Sequence, residues 1–287
     1  MVVVIGYIVV LGAVAAGFIW SGGHLMALIH PAELVTIGGA ALGSLIVMSP
    51  TKVIRDLIRS MIQCFKGTPY NRRAYDDLFK TMYDLFRFAR REGLTSLESH
   101  LGQPESSDIF NKYPGITKNH HVMEFIRGAL SPVIEGSARP EQLPGLLETE
   151  IKVIEEEHHA PLGVLSKTAD ALPGFGIVAA VLGIVITMAS IDGPVEEIGE
   201  KVGAALVGTF LGILMSYGIF GPLTVRMEFL GAAELAYFRT IATIVQGFAT
   251  DLPPKIAIEH ARRGISSEYR PTRDQLDELF AQVDAAR

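Results

Sequence analysis

Cysteine is almost absent from this 287-residue chain, in which Cys64 is the single example. One thiol cannot form an intrachain disulfide, so a disulfide-stabilised secreted fold is excluded and a reducing compartment suits the chain. The motifs GxxxxGKS/T, GxSxG and CxxC are missing as well. Because nucleotide hydrolysis and thiol chemistry lack their usual residues, we expect no enzymatic activity and no cofactor.

Charge is absent from long stretches of the chain, although 20% of all residues are charged and 49% are hydrophobic. The charge-free runs are Val2–Trp20, Leu34–Pro50, Ala171–Ile191 and Val202–Val225. Each is close to the roughly 20 residues that cross a hydrocarbon core about 30 Å thick. We therefore predict four transmembrane helices, of which the second is the shortest.

Basic residues are absent before Lys52, so no Lys or Arg precedes the first apolar run and a cleavable signal peptide is excluded. They are frequent from Lys52 to Lys167 and from Arg226 onward, whereas the connections inside the two helix pairs carry only Lys201. The positive-inside rule then places both long polar segments and both termini in the cytoplasm. Since topology accounts for the basic residues, they give no reason to expect nucleic acid as a partner.

Strand signals are nearly absent, which predicts an all-α polytopic membrane protein with a helical cytoplasmic domain. An apolar face from Val53 to Phe65 predicts a helix that either extends the second span or lies along the membrane surface. Further helices are expected at Arg73–Arg91, Lys118–Leu130, Glu141–His158 and Arg273–Ala285. The expected segments are 1–50 with transmembrane helices one and two, 51–168 as the cytoplasmic domain, 169–225 with helices three and four, and 226–287 as a cytoplasmic helical tail.

Small residues recur along the membrane helices. The third helix carries Gly176, Ala180 and Gly183, and the fourth carries Ala204, Gly208, Gly212 and Ser216 at four-residue spacing. Such spacing lets helix backbones approach closely. It fits packing inside one subunit, and its presence on every span also fits self-association.

Titratable side chains are missing from the predicted membrane interior. Glu33 and Asp170 lie at helix ends, and the deep positions offer only the hydroxyls of Thr187, Thr209, Ser216 and Tyr217. An ion path normally carries an intramembrane acid, base or His, so a partner would have to bring the carboxylate. Outside the membrane, the pair His120-His121 and the run 155–159 have neighbours that do not face each other on a helix, and we expect no metal site.

Three motifs resemble the MotA family of flagellar motor stator subunits: PAELVTIGGA at 31–40, ALPGFGIVAAVLGIV at 171–185 and VGTFLGILMSYGIFGPL at 207–223. The segments RREGLTSLES at 90–99 and SSDIFNKYP at 106–114 extend the resemblance over most of the chain. The resemblance implies a pentameric ring in the bacterial inner membrane around two MotB chains. MotB would supply the membrane Asp and the peptidoglycan anchor, and the ring would turn the rotor protein FliG.

The resemblance also implies roles for individual residues. Pro173 and Pro222 would be hinge prolines that line the ion path, with Thr209 beside the partner carboxylate and Tyr217 on the same path. Pro222 lies inside GIFGPLTV, where a proline bends a helix, and this favours the hinge.

On the cytoplasmic side the resemblance implies that Arg90, Glu98 and Glu150 are rotor-facing charges. Because Arg91 is the next residue, the assignment of this role to Arg90 depends on how the chain is aligned with the family. Gly128 falls where the family has an acidic residue, so part of this surface is expected to differ.

The coupling ion is predicted to be the proton. Sodium-driven members of the family carry a hydroxyl residue on helix three that faces the one on helix four, and here Ala180 stands at the helix-three position opposite Thr209. One hydroxyl is a poor cage for sodium, which needs several oxygen ligands. Two alternatives stay open at this point, namely an energising scaffold of the TolQ and ExbB type and a self-contained membrane transporter.

Overall fold

The computed structural model describes residues 2–189 and 191–286, and these residues form helices and contain no strand. In chain order the helices are α1 Val2–Trp20, α2 Pro31–Met48, α3 Thr51–Lys66, α4 Arg72–Glu92, α5 Leu97–Gly102, α6 Pro114–Thr117, α7 His120–Ile134, α8 Leu143–Met188, α9 Val195–Ile213, α10 Gly221–Ala249, α11 Pro254–Arg263 and α12 Arg273–Ala285. A π-helix, Leu214–Phe220, joins α9 to α10. The predicted all-α class is confirmed.

The chain divides into two compact units. The membrane unit comprises Met1–Gly67 and Glu157–Leu230, and the helical unit comprises Thr68–Glu156 and Gly231–Arg287. The long helices α8 and α10 contribute residues to both units.

Among the described residues, four helical segments are long and apolar enough to cross a membrane: Val2–Trp20, Leu25–Met48, Leu143–Met188 and Val195–Ala249. The four predicted transmembrane helices are thereby confirmed. The last two segments are much longer than their charge-free runs, because α8 begins in polar sequence and α9 continues through the π-helix into α10.

Helix α3 is a separate element in the membrane unit. Pro50, between α2 and α3, has φ −59° and ψ 152°, so the chain is extended there and α3 does not continue the second span. Leu57 and Cys64 of α3 are buried against Leu165 and Met227. The Cys64 thiol is free and buried.

The helical unit has an aromatic core between α4, α10 and α12. Asn71 caps α4 by accepting a hydrogen bond from the Ala74 amide, and Gly93 ends the helix at φ 93°. Phe86 of α4 stacks on Phe248 of α10 with ring centroids 3.8 Å apart. The predicted helices at Arg73–Arg91, Lys118–Leu130 and Arg273–Ala285 correspond to α4, α7 and α12, and the one predicted at Glu141–His158 is the first part of α8.

Candidate functional site

Helices α8 and α9 cross with their backbones in contact. A Cβ placed on Gly176 would lie 2.9 Å from the Gly208 carbonyl oxygen, and one on Gly212 would lie 2.6 Å from the Leu172 carbonyl oxygen. Both distances are too short for a real side chain, so glycine is required at this crossing. The small residues of the third and fourth spans therefore serve packing inside one chain.

Thr209 and Ala180 are brought to the same crossing. Thr209 Cα lies 3.3 Å from the point where a Cβ on Gly176 would stand, and Ala180 N lies 3.4 Å from the corresponding point on Gly208. The Thr187 hydroxyl donates to the Gly183 carbonyl of its own helix at 2.8 Å, which is the ordinary use of a membrane threonine. No hydrogen bond joins the Thr209 hydroxyl to any described residue, so it is available to a group from outside the chain.

Glu33 reaches this crossing from α2. Its Cγ lies 3.4 Å from the point where a Cβ on Gly208 would stand. Its Oε2 is buried and has no hydrogen-bond partner among the described residues. The sequence correctly predicted Glu33 near a helix end, but it did not predict that this side chain reaches Gly208 of α9. Helix periodicity carries no signal for this contact, because it joins residues 175 positions apart (208 − 33).

Pro173 lies inside the continuous helix α8, together with Pro161. Since proline has no N–H, the carbonyl of Ala169 loses its helical donor at this point. Leu172, the residue before the proline, is fully buried, and its carbonyl oxygen is the one that faces Gly212. The proline therefore adjoins the α8–α9 crossing.

Pro222 is the second residue of α10, and Gly221 alone separates it from the π-helix. The Gly221 amide donates to the Ser216 carbonyl five residues earlier, and Pro222 has no amide hydrogen to donate. Tyr7 of α1 donates a hydrogen bond from its hydroxyl to the Ile219 carbonyl at 3.0 Å. The π-helix is a feature that the sequence analysis missed.

Tyr217 lies in the π-helix, and 71% of its surface is exposed. The structure thus does not enclose Tyr217 within the α8–α9 crossing, where Thr209 and Ala180 lie. Its exposed ring can contact lipid or a partner chain.

The predicted rotor-facing charges lie in the helical unit, and Arg90 is engaged there. Its Nη2 donates to the carbonyl oxygens of Asp251 and Leu252 at 2.9 and 3.0 Å and to the Asp251 carboxylate at 3.0 Å. Asp251 has φ 62°, a conformation that non-glycine residues rarely adopt. Arg90 therefore holds the turn between α10 and α11, a role that its position in the sequence did not indicate.

Glu98 and Glu150 have different surroundings. Glu98, in the first turn of α5, is exposed and forms no ion pair with a described residue. The Glu150 carboxylate lies 3.6 Å from the point where a Cβ on Gly128 would stand. Burial and the nearby Glu124 carboxylate raise the pKa of Glu150 above its ordinary value. The Glu150 carboxylate thus lies next to Gly128, the position at which the resemblance implied an acidic residue.

No cluster of three or more His, Cys, Asp or Glu residues able to hold a metal ion occurs in residues 2–189 and 191–286. The histidines at 120, 121, 158 and 159 therefore do not assemble into such a cluster within the described chain.

Two family models match most of the chain. Residues 4–93 match the N-terminal model of motility protein A, and residues 117–229 match the MotA/TolQ/ExbB proton channel family.

Similar proteins are found in motile bacteria. Motility protein A of Salmonella typhimurium is 36% identical over 278 residues, which is 97% of this chain and 94% of that protein. Chemotaxis protein LafT of Vibrio parahaemolyticus is 37% identical over 280 residues, which is 98% of each chain.

Solved structures show the same fold. A chain of C. jejuni MotAB matches with a TM-score of 0.76 and 19% identity over 94% of this chain and 98% of that one. A chain of the flagellar MotAB stator complex from Bacillus subtilis matches with a TM-score of 0.72 and 23% identity over 96% and 98%. With both parts of the chain matched by family models and nearly its whole length aligned to motility protein A, the chain belongs to the motility protein A family within the MotA/TolQ/ExbB proton channel family.

Proposed function

We propose that this chain is the stator subunit of a bacterial flagellar motor, in which it forms a proton-conducting complex with a MotB-like partner and has no enzymatic activity. The observation that carries the proposal is 36% identity to motility protein A across 97% of the chain. TolQ- and ExbB-type scaffolds share only the channel family, whereas the match at residues 4–93 is to an N-terminal model of motility protein A.

The partner supplies the membrane Asp and the peptidoglycan anchor. Support comes from the Thr209 hydroxyl, which has no hydrogen bond to a described residue and can bond to a carboxylate from another chain. Ala180 at the same crossing carries a methyl group where sodium-driven relatives have a second hydroxyl, and a single hydroxyl suits a carboxylate that gains and loses a proton. Pro173, Pro222 and Tyr217 belong to the same ion path.

Self-association into a pentameric ring is supported by glycines of α1 and α2 that face open space in the single chain. A Cβ added to Gly17, Gly39 or Gly43 would meet nothing within 4 Å, so these close-packing positions on α1 and α2 have no such neighbour among residues 2–189 and 191–286. Small residues at such spacing suit contact with a second copy. Both termini lie in the cytoplasm, as the distribution of Lys and Arg indicates.

The rotor protein FliG contacts the helical unit. Glu98 is the charge best suited to that contact, because it is exposed and has no ion-pair partner among the described residues. Arg90, 40% of whose side chain is exposed, takes part while it also holds the α10–α11 turn. Glu150 contributes negative charge close to Gly128.

The test is complementation of a strain that lacks both stator genes. Swimming is expected only when this chain and the MotB-like gene from the same genome are expressed together. Swimming should be lost when the membrane Asp of that partner is changed to Asn. Co-expressed chains that copurify and insert but never rotate a flagellum would contradict the proposed function.

A further inference from the structure

Glu33 is a partly buried titratable group that the proposed ion path leaves unused, and one of its carboxylate oxygens, Oε2, is buried. It lies in the first turn of α2, and one turn later Ile37 is completely buried against the pair Leu172 and Ala179 of α8. The Glu33 side chain thereby lies against Gly208 of α9. Its Oε2 is buried and has no hydrogen-bond donor among the described residues.

The contact lies within the apolar part of α9. Gly208 is seven residues beyond Lys201 (208 − 201), the last charged residue before the charge-free run. At 1.5 Å per residue this corresponds to about 10 Å along the helix. The Glu33 side chain therefore contacts α9 at a level inside its charge-free run.

Nearby charges do not satisfy this carboxyl. The titratable residues nearest to these contacts along the chain are His30 just before α2, Lys167 and Asp170 on α8, and Glu196, Glu197, Glu200 and Lys201 on α9. Lys201 pairs with Glu197 at 2.7 Å, and no described residue donates a hydrogen bond to Glu33. A carboxylate anion is costly in such surroundings, and binding a proton removes the charge.

We propose that Glu33 is a proton-binding group on the proton path of this chain, upstream of the partner carboxylate that meets Thr209. A proton from the extracytoplasmic side binds a Glu33 carboxylate oxygen, and that O–H bond breaks when the proton passes, directly or through water, to the partner carboxylate. Glu33 is then an anion again and ready for the next proton. This inference rests on the proposed function, and it assigns a membrane carboxyl to a chain otherwise expected to have none.

The first test is chemical labelling of the complex with its partner. Dicyclohexylcarbodiimide adds to protonated carboxyl groups in apolar surroundings, and peptide mass spectrometry locates the adduct. We expect label on Glu33 that decreases as the external pH is raised, and none on Glu196, an exposed acid at the start of α9. Absence of label on Glu33 from mildly acidic to mildly alkaline pH would overturn the proposal.

The second test measures proton flux and swimming in Glu33→Gln and Glu33→Asp, with Glu196→Gln as the matched control. Glu33→Gln should lower proton flux at least about tenfold while partner copurification stays normal, since it removes an acid–base group from the path. Glu33→Asp should retain partial flux that responds to external pH.

Wild-type flux in Glu33→Gln would overturn the proposal. If Glu33→Gln fails to assemble, labelling of the wild-type complex decides instead. A wild-type complex that carries no protons would contradict the proposed function, whereas the labelling result on Glu33 is obtained without any motility.

Discussion

Arg90 and Arg91 are adjacent on α4, yet their side chains have different surroundings. Arg90 bonds to the chain at Asp251 and Leu252, whereas Arg91 contacts residues of its own helix, the Glu92 carboxylate and the Phe88 ring, and is 55% exposed. A substitution at Arg90 therefore changes a fold contact as well as a surface charge. Glu98, which is exposed, allows the surface charge to be tested without a fold contact.

Arg90→Ala should lower the free energy of unfolding by about 1–3 kcal/mol, because it removes charge-assisted hydrogen bonds from the α10–α11 turn. Arg91→Ala is the matched control and should leave stability unchanged. Thermal unfolding of the purified full-length chain in detergent, followed by circular dichroism, measures both. Equal melting temperatures for the two variants would show that the Arg90 contacts contribute nothing.

Glu98→Lys should impair swimming while the melting temperature and partner copurification stay at wild-type values, because an exposed charge affects contact with a partner more than folding. A compensating charge reversal on FliG should restore part of the swimming speed. Full motility of Glu98→Lys would remove Glu98 from the rotor-facing surface.

Glu259 gives the helical unit a pH-dependent contribution to stability. Hydrogen bonds from Arg262 and Arg263 lower the pKa of Glu259 from 4.5 to about 2, and burial opposes this only in part. A lowered pKa stabilises the folded state above the ordinary value, and the stabilisation is lost as the pH falls towards the folded-state value.

Wild type should therefore be more stable than Glu259→Gln above about pH 5, and the difference should shrink as the pH falls towards about 2. Chemical denaturation of both proteins across this range measures it. Titration of other groups is common to both proteins and cancels in the difference. A difference that is independent of pH would contradict the prediction.

At the scale of the helix, contact between α8 and α9 depends on glycine. Gly176→Ala should destabilise the pair by about 1–3 kcal/mol, because the new Cβ would lie 2.9 Å from the Gly208 carbonyl oxygen. Gly174→Ala on the same helix meets nothing within 4 Å and should be neutral or stabilising. Thermal unfolding in detergent compares the two. Equal stability would show that α8 and α9 do not need this close approach.

The junction between α9 and α10 is the element best placed to bend. A proton crossing 100 mV releases about 2.3 kcal/mol, which can bias a weakened helix but not repack a core. The π-helix and Pro222 interrupt the α-helical hydrogen-bond pattern at one point, where the Tyr7 hydroxyl donates to the Ile219 carbonyl.

Pro222→Ala supplies an amide hydrogen that can bond to the Gly218 carbonyl and should stiffen the junction. Swimming should then slow or stop at near-normal protein level, and amide hydrogen exchange across 214–222 should slow. Pro173→Ala should slow swimming in the same way. Disappearance of either variant from the membrane would instead indicate a structural role for that proline.

For the whole molecule, the residues at the α8–α9 crossing predict which ion drives rotation. With Ala180 at the crossing and Thr209 as its hydroxyl, swimming speed should fall to zero when an uncoupler collapses the proton gradient in the presence of sodium. Speed should stay constant when sodium is removed at constant pH. The opposite pair of responses would overturn the assignment of the proton.

Much of the fold follows from local pattern. A bilayer demands a charge-free run of about 20 residues, so the four spans are visible as gaps in the distribution of charge. Apolar spacing similarly predicted α3, α4, α7 and α12, because one face of each helix is buried. The resemblance to motility proteins then pointed to Pro173, Pro222 and Thr209.

Only the tertiary structure decided which of these residues meet. Glu33 approaches Gly208, and Arg90 bonds to Asp251, across separations that helical periodicity does not record. The π-helix before Pro222 likewise has no sequence signature in residue spacing. Sequence alone determined which segments are helical and apolar, since those properties are local. The contacts of a buried acid or a surface arginine depend on which helices pack together, and only the folded chain contains that information.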